Sequence, residues 1–174
     1  MGVYQQMQDR LVDAGCALMK ELSAEVVEVC DGGSLDVSTE VVVATIGYAA
    51  DTCRGAIVLV SSPSFLRAID AGVPAPASAH ELGDMQGELS NMLLGLKMMM
   101  RKHGVTFVVA TPTSIVGLDL ALPPPSGGTS SWHRFASARG DLHVRFDAIF
   151  DVAFVLGATS APEGDAAEGE VLVF

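Results

Sequence analysis

The sequence predicts an α/β chain of the α+β type, an extensive sheet packed with two long helices and one short one. Apolar residues recur at helical spacing over residues 4–22 and again over 79–102. Runs rich in β-branched residues occupy 35–46, 54–61 and several stretches beyond 105. With 49% hydrophobic residues in 174, the chain can bury a substantial core within one domain.

The first helix follows from Met7, Leu11, Ala14, Cys16, Leu18 and Leu22, apolar residues near helical spacing that read as an amphipathic helix. Residues 25–30 then lead through Asp31-Gly-Gly-Ser34 into the strand 35–46, which reads as a hairpin. Arg54-Gly-Ala-Ile-Val-Leu-Val-Ser61 is the next strand. Ser62 and Pro63 suit the N-cap and first position of a short helix running to about residue 71. A Gly/Pro/Ala connector precedes the long helix 79–102, which His103-Gly104 closes as a glycine C-cap. Residues 105–110, 114–122, 131–138, 141–146 and 148–154 are strand-like. The Pro-rich stretch 123–130 has linker composition, but neither flank makes a complete core alone, so it is expected as a loop within a domain covering 1–157. Residues 158–174 are small and acidic and are expected as a flexible tail.

Ten Lys plus Arg against twenty-one Asp plus Glu give a net charge of −11, which opposes binding to nucleic acid or to anionic membranes. Mean hydropathy is +0.40, yet no uncharged apolar run reaches the ~18 residues of a spanning helix. The start of the chain lacks a basic segment followed by an apolar one, so a cytoplasmic protein is expected. Cys16, Cys30 and Cys53 are odd in number and widely spaced, which fits free thiols. His80, His103, His133 and His143 show no metal-site pairing, and no phosphate-cradling glycine loop is present.

The most informative segment is Asp84-Met-Gln-Gly-Glu88-Leu-Ser-Asn91, which holds the only asparagine of the chain. At about 100° per residue, Asp84, Glu88, Asn91 and Gly95 fall on one side of a helix. Leu82, Met85, Leu89, Leu93, Leu96 and Met100 gather on another, so a carboxylate and a carboxamide stand together away from the core. Acidic residues on a solvent face are ordinary, and it is their surroundings that raise the interest of this stripe.

From Asp84 to Lys97 the pattern Asp-x-x-x-Glu-x-x-Asn, followed by a helix glycine and a lysine, resembles the signature of the CheC, CheX and FliY chemotaxis phosphatases, nearest to the CheX-like branch. The Arg54-Gly-Ala-Ile-Val-Leu strand, Thr111-Pro-Thr-Ser-Ile-Val-Gly117 and a closing strand pair around Gly140 agree with it. With a single asparagine the chain can carry one Glu-x-x-Asn helix, as CheX proteins do, and not the two of CheC proteins. The resemblance implies a CheC-like fold with a mostly antiparallel sheet, over about residues 1–156.

By that resemblance the protein hydrolyses the aspartyl phosphate of a CheY-like receiver domain. Asn91 would hold the attacking water in line with phosphorus, and Glu88 would pair with the receiver's lysine. Asp84, Met92, Gly95 and Met99 would contact the partner around them, the thioethers as a deformable surface. The resemblance places no cofactor or metal in this chain, since Mg2+ would arrive with the receiver, and it implies a homodimer. Two other readings stay open: a receiver-binding module without catalysis, and a dimeric assembly module whose helix stripe is the contact.

Overall fold

The computed structural model describes residues 2–22, 24, 26–31, 38–70, 77–93, 107–123 and 127–151. The expected tail and residues 94–102 of the expected long helix lie outside these residues. In chain order the elements are α1 (Val3–Glu21), β1 (Val26–Asp31), β2 (Val41–Ala49), β3 (Cys53–Ser61), α2 (Pro63–Ile69), α3 (Ala79–Leu93), β4 (Val108–Val109), β5 (Thr113–Gly117), β6 (Thr129–Ser137) and β7 (Gly140–Phe150). All seven strands join one sheet in the order β1-β6-β7-β3-β2-β4, with β5 also pairing β2, and every pairing is antiparallel.

Alternation along the strands gives the sheet two unlike faces. Val42, Ile46 and Tyr48 of β2, Ile57 and Leu59 of β3, Phe135 of β6 and Leu142, Val144 and Phe146 of β7 line the front. All three helices pack there, through Met7, Leu11, Leu18 and Met19 of α1, Phe65 and Leu66 of α2, and Leu82, Leu89 and Leu93 of α3. Gly15 lets α1 settle onto the ring of Phe135, which a Cβ at this position would overlap. Gly55 does the same for Tyr48, whose hydroxyl crosses it to donate to the carbonyl of Asp147 at 2.8 Å.

On the back, Val41, Val43, Val58 and Val60 are covered by Leu120, Leu122 and Trp132. Arg145 and Asp147 form a buried ion pair at 2.9 Å beneath this cover. Arg145 also donates to the carbonyl of Leu122 at 2.7 Å and lies 5.4 Å from the centre of the Trp132 ring. A buried cation is thus met by a carboxylate, a carbonyl and a π face, which together offset its desolvation.

The structure changes three expectations. Residues 25–30 and 35–46 do not form a hairpin: β1 pairs with β6, because β3 takes one edge of β2 while β4 and β5 take the other. The strand expected over 114–122 stops at Gly117; Asp119, at φ 51°, then turns the chain so that Leu120 and Leu122 fold over the back face. The runs 141–146 and 148–154 open as one strand, β7, since Asp147 stays in register between Ala56 and Ser130.

Candidate functional site

Helix α3 carries the stripe, and its start is fixed by its own sequence. The Ser78 hydroxyl accepts from the Glu81 amide at 3.2 Å, while the Glu81 carboxylate accepts from the Ser78 amide and hydroxyl, both at 2.7 Å. This reciprocal capping box satisfies backbone donors that the first turn would leave bare. These hydrogen bonds from Ser78 hold the Glu81 carboxyl below its ordinary pKa.

The helix lies over β2 and β5 at close range. A Cβ on Gly83 would stand 3.3 Å from Cβ of Ser114, and one on Gly87 would stand 3.5 Å from Oγ of Ser114 and 3.8 Å from Cβ of Pro112. Two glycines four residues apart therefore form a flat track along which the strand segment 112–114 runs. Below the helix, Leu82, Gln86, Leu89, Ser90 and Leu93 are buried.

Seated in this way, α3 turns Asp84, Glu88 and Asn91 to solvent, all three exposed. Met92 beside them is 45% exposed, a large apolar side chain left in water at the edge of the stripe. Glu88 and Asn91 are three residues apart, a rise of about 4.5 Å, so one small group can meet both. Gly95 and Met99 lie outside the described residues, as do Leu96 and Met100 of the expected apolar face.

His80 extends the stripe by one turn: its Nδ1 lies 3.4 Å from Oδ1 of Asp84, with the two side chains 86% and 69% exposed. Sequence reasoning considers His80 only as a metal ligand, although its i, i+4 spacing to Asp84 is the available signal for this pair. It passes over the capping box Ser78-x-x-Glu81 and the Gly83-x-x-x-Gly87 track.

Among the described residues no three His, Cys, Asp or Glu side chains group as ligands for an ion, and no helix is long and apolar enough to cross a membrane. The three cysteines are free, with Cys53 buried and its thiol pushed up to about 11 by desolvation. The stripe itself offers a carboxamide that donates and accepts, with the Glu88 carboxylate one turn away and no Ser, Thr, Cys or Lys among its described residues. Its chemistry is that of orienting a small molecule and pairing with a cation.

No family model and no curated protein matches the chain. Solved structures do. A CheC-like superfamily protein from Shewanella sp. PV-4 aligns with a TM-score of 0.70 at 20% identity, covering 86% of this chain and 99% of that one. The chemotaxis protein CheX from Vibrio vulnificus gives 0.67 at 19% identity, over 83% and 99% of the two chains. A chain of the CheX-CheY-BeF3-Mg2+ complex from Borrelia burgdorferi gives 0.63 at 17% identity, over 80% and 96%. The α+β fold expected from the sequence is thus the fold of CheC-like and CheX chemotaxis proteins, across most of the chain.

Proposed function

We propose that this protein is a phosphatase for the phospho-aspartate of a CheY-type receiver domain, working in chemotaxis or a related two-component pathway. The observation that carries the reading is the presentation of Glu88 and Asn91 together on the exposed face of α3, in a chain whose fold is that of the CheX in the complex with CheY.

In the reaction, the oxygen of water bonds to phosphorus and the bond from phosphorus to the aspartyl oxygen breaks. Inorganic phosphate leaves as H2PO4−, carrying the water's oxygen and both its protons, and the receiver's carboxylate is restored. Asn91 accepts a hydrogen bond from the water through its amide oxygen and donates from its nitrogen, which fixes the line of attack. The task matches that of a water-positioning glutamine in a GTPase, where placement and charge stabilisation carry the catalysis. Glu88 takes the receiver's lysine, a cationic partner, because a carboxylate facing the phosphoryl group would repel it. Asp84 and Met92 border the contact, and Gly95 and Met99 complete the surface in this reading. Mg2+ belongs to the receiver, and no step here asks a residue of this chain to hold it.

A cytoplasmic location and a homodimer belong to the same reading. The free edge of β5 supports the dimer: Ile115 is 55% exposed and Leu118 beyond it 60%, beside strand groups that β2 pairs on one side only among the described residues.

The test is phosphate release from phosphorylated receivers of the same genome at fixed Mg2+, with light scattering on the same samples. Wild type is expected to speed release, and Glu88→Ala to raise the receiver concentration needed by about tenfold or more, as loss of a docking ion pair does. Absence of acceleration with every receiver of that genome would remove the phosphatase reading; a monomeric mass would remove the dimer.

A further inference from the structure

Gln86 is an anomaly under the helix that carries the site. It is fully buried, between Leu82 and Leu89 on the core face of α3, where the period calls for an apolar side chain. Its Oε1 accepts a hydrogen bond from the hydroxyl of Ser61 at 2.8 Å. Its Nε2 has no partner among the described residues. A buried donor left bare is costly, so an apolar pair at Gln86 and Ser61 would serve stability at least as well.

What the amide adds is direction. Leu82, Leu89 and Leu93 hold α3 against the sheet, but apolar contacts of this kind are non-directional and resist a small roll of the helix weakly. Ser61 is the last residue of β3, held in register against Val42 on one side and Leu142 on the other, so its hydroxyl is a fixed point of the sheet. Gln86 is five residues before Asn91, about 140° around the axis, so the bond pins one side of the helix while the other faces solvent. With side-chain tips about 5–6 Å from the axis, a roll of about 10° carries the Asn91 amide about 1 Å. A displacement of that size costs on the order of 10²-fold when the task is to orient a reacting molecule.

We infer that Gln86 is a positioning residue for Asn91: the Ser61–Gln86 hydrogen bond sets the rotation of α3 and so the aim of the Asn91 amide. This inference rests on the phosphatase reading for its effect on rate, but its structural half is separable, because Asn91 is the only asparagine in the chain. Protein labelled with 15N in asparagine alone gives one backbone amide signal and one pair of side-chain NH2 signals, which report on that residue without any substrate.

The experiment compares wild type, Gln86→Met, Ser61→Ala and the double variant by this spectrum, by melting temperature, and by receiver dephosphorylation. Gln86→Met is expected to shift the Asn91 signals and to lower kcat by about tenfold or more with KM changed less than about threefold, while the double variant, which leaves neither polar group bare, is expected to melt at or above the wild-type temperature. Ser61→Ala is expected to shift the same signals, and the double variant to be no slower than the slower single one, since both remove one bond. A Gln86→Met protein with unmoved Asn91 signals, or with unmoved kcat, would overturn the inference. A wild type without turnover counts against the phosphatase reading, while the Asn91 signals still decide whether Gln86 sets the helix.

Discussion

At the scale of single residues, the proposed function asks for an amide and a carboxylate that the core does not consume. Asn91 and Glu88 were legible in the sequence because the helical period separates them cleanly from Leu82, Leu89 and Leu93, and the structure leaves both exposed. Gln86 was not legible as a functional residue. It falls on the buried side by period, and nothing in a sequence tells whether such a polar residue meets a partner across the core; only the Ser61 hydroxyl at the end of β3 supplies that. The His80–Asp84 contact joins two exposed side chains, and exposed i, i+4 pairs contribute little stability by themselves.

At the scale of elements, α3 is placed by what its neighbours lack. The long helix was readable from its apolar spacing, but its close seat on β5 depends on Gly83 and Gly87 meeting Pro112 and Ser114, a pairing distant in sequence. Gly87 and Gly15 of α1 differ in what they permit. A Cβ at Gly87 meets only ordinary contacts, so Gly87→Ala is expected to stabilise by up to about 1 kcal/mol through helix propensity, measured by urea unfolding. Gly15→Ala is expected to destabilise by about 1–3 kcal/mol or more in the same experiment, because the ring of Phe135 occupies the space and the core there is closed. Equal effects at the two positions would show that the close approach of α1 to β6 is not what holds Gly15. Strand order, by contrast, was only partly legible: β1 looked like the first arm of a hairpin because Asp31-Gly-Gly-Ser34 has turn composition, whereas its partner is β6, about a hundred residues on. Local turn chemistry was outweighed by the open edge that β6 offers.

At the scale of the whole molecule, one sheet carries a helical front and a back covered by the segment after β5. The class was legible from periodicity and apolar content, which are properties of the chain at large. The back-face cover was not, because Asp119 ends the strand by one backbone angle and Arg145 is buried by partners brought from Leu122, Trp132 and Asp147. The same face holds a pH sensor of stability. His143 has its pKa lowered, first by burial and then by Arg134, with Asp141 opposing. A depressed value means the folded state resists the proton, so the unfolded chain takes it up first as the pH falls. The stability is therefore present above about 6.5, the ordinary histidine value, and is lost as the pH falls through the folded-state value. The wild-type melting temperature is expected to drop on acidification from about pH 7 to about pH 5, and His143→Gln to flatten that drop; equal slopes for the two proteins would assign the loss to other groups.

In the proposed reaction Asn91 orients a water molecule and does not merely touch a partner. The most direct test measures, on one sample of Asn91→Ala, the affinity for a phosphorylated receiver and the single-turnover rate of phosphate release. The expected result is binding within about threefold of wild type, an unchanged melting temperature, and release slowed by about 10²-fold toward the receiver's own rate. Release at the wild-type rate with binding intact would contradict it, and would leave α3 as a docking helix without a catalytic role.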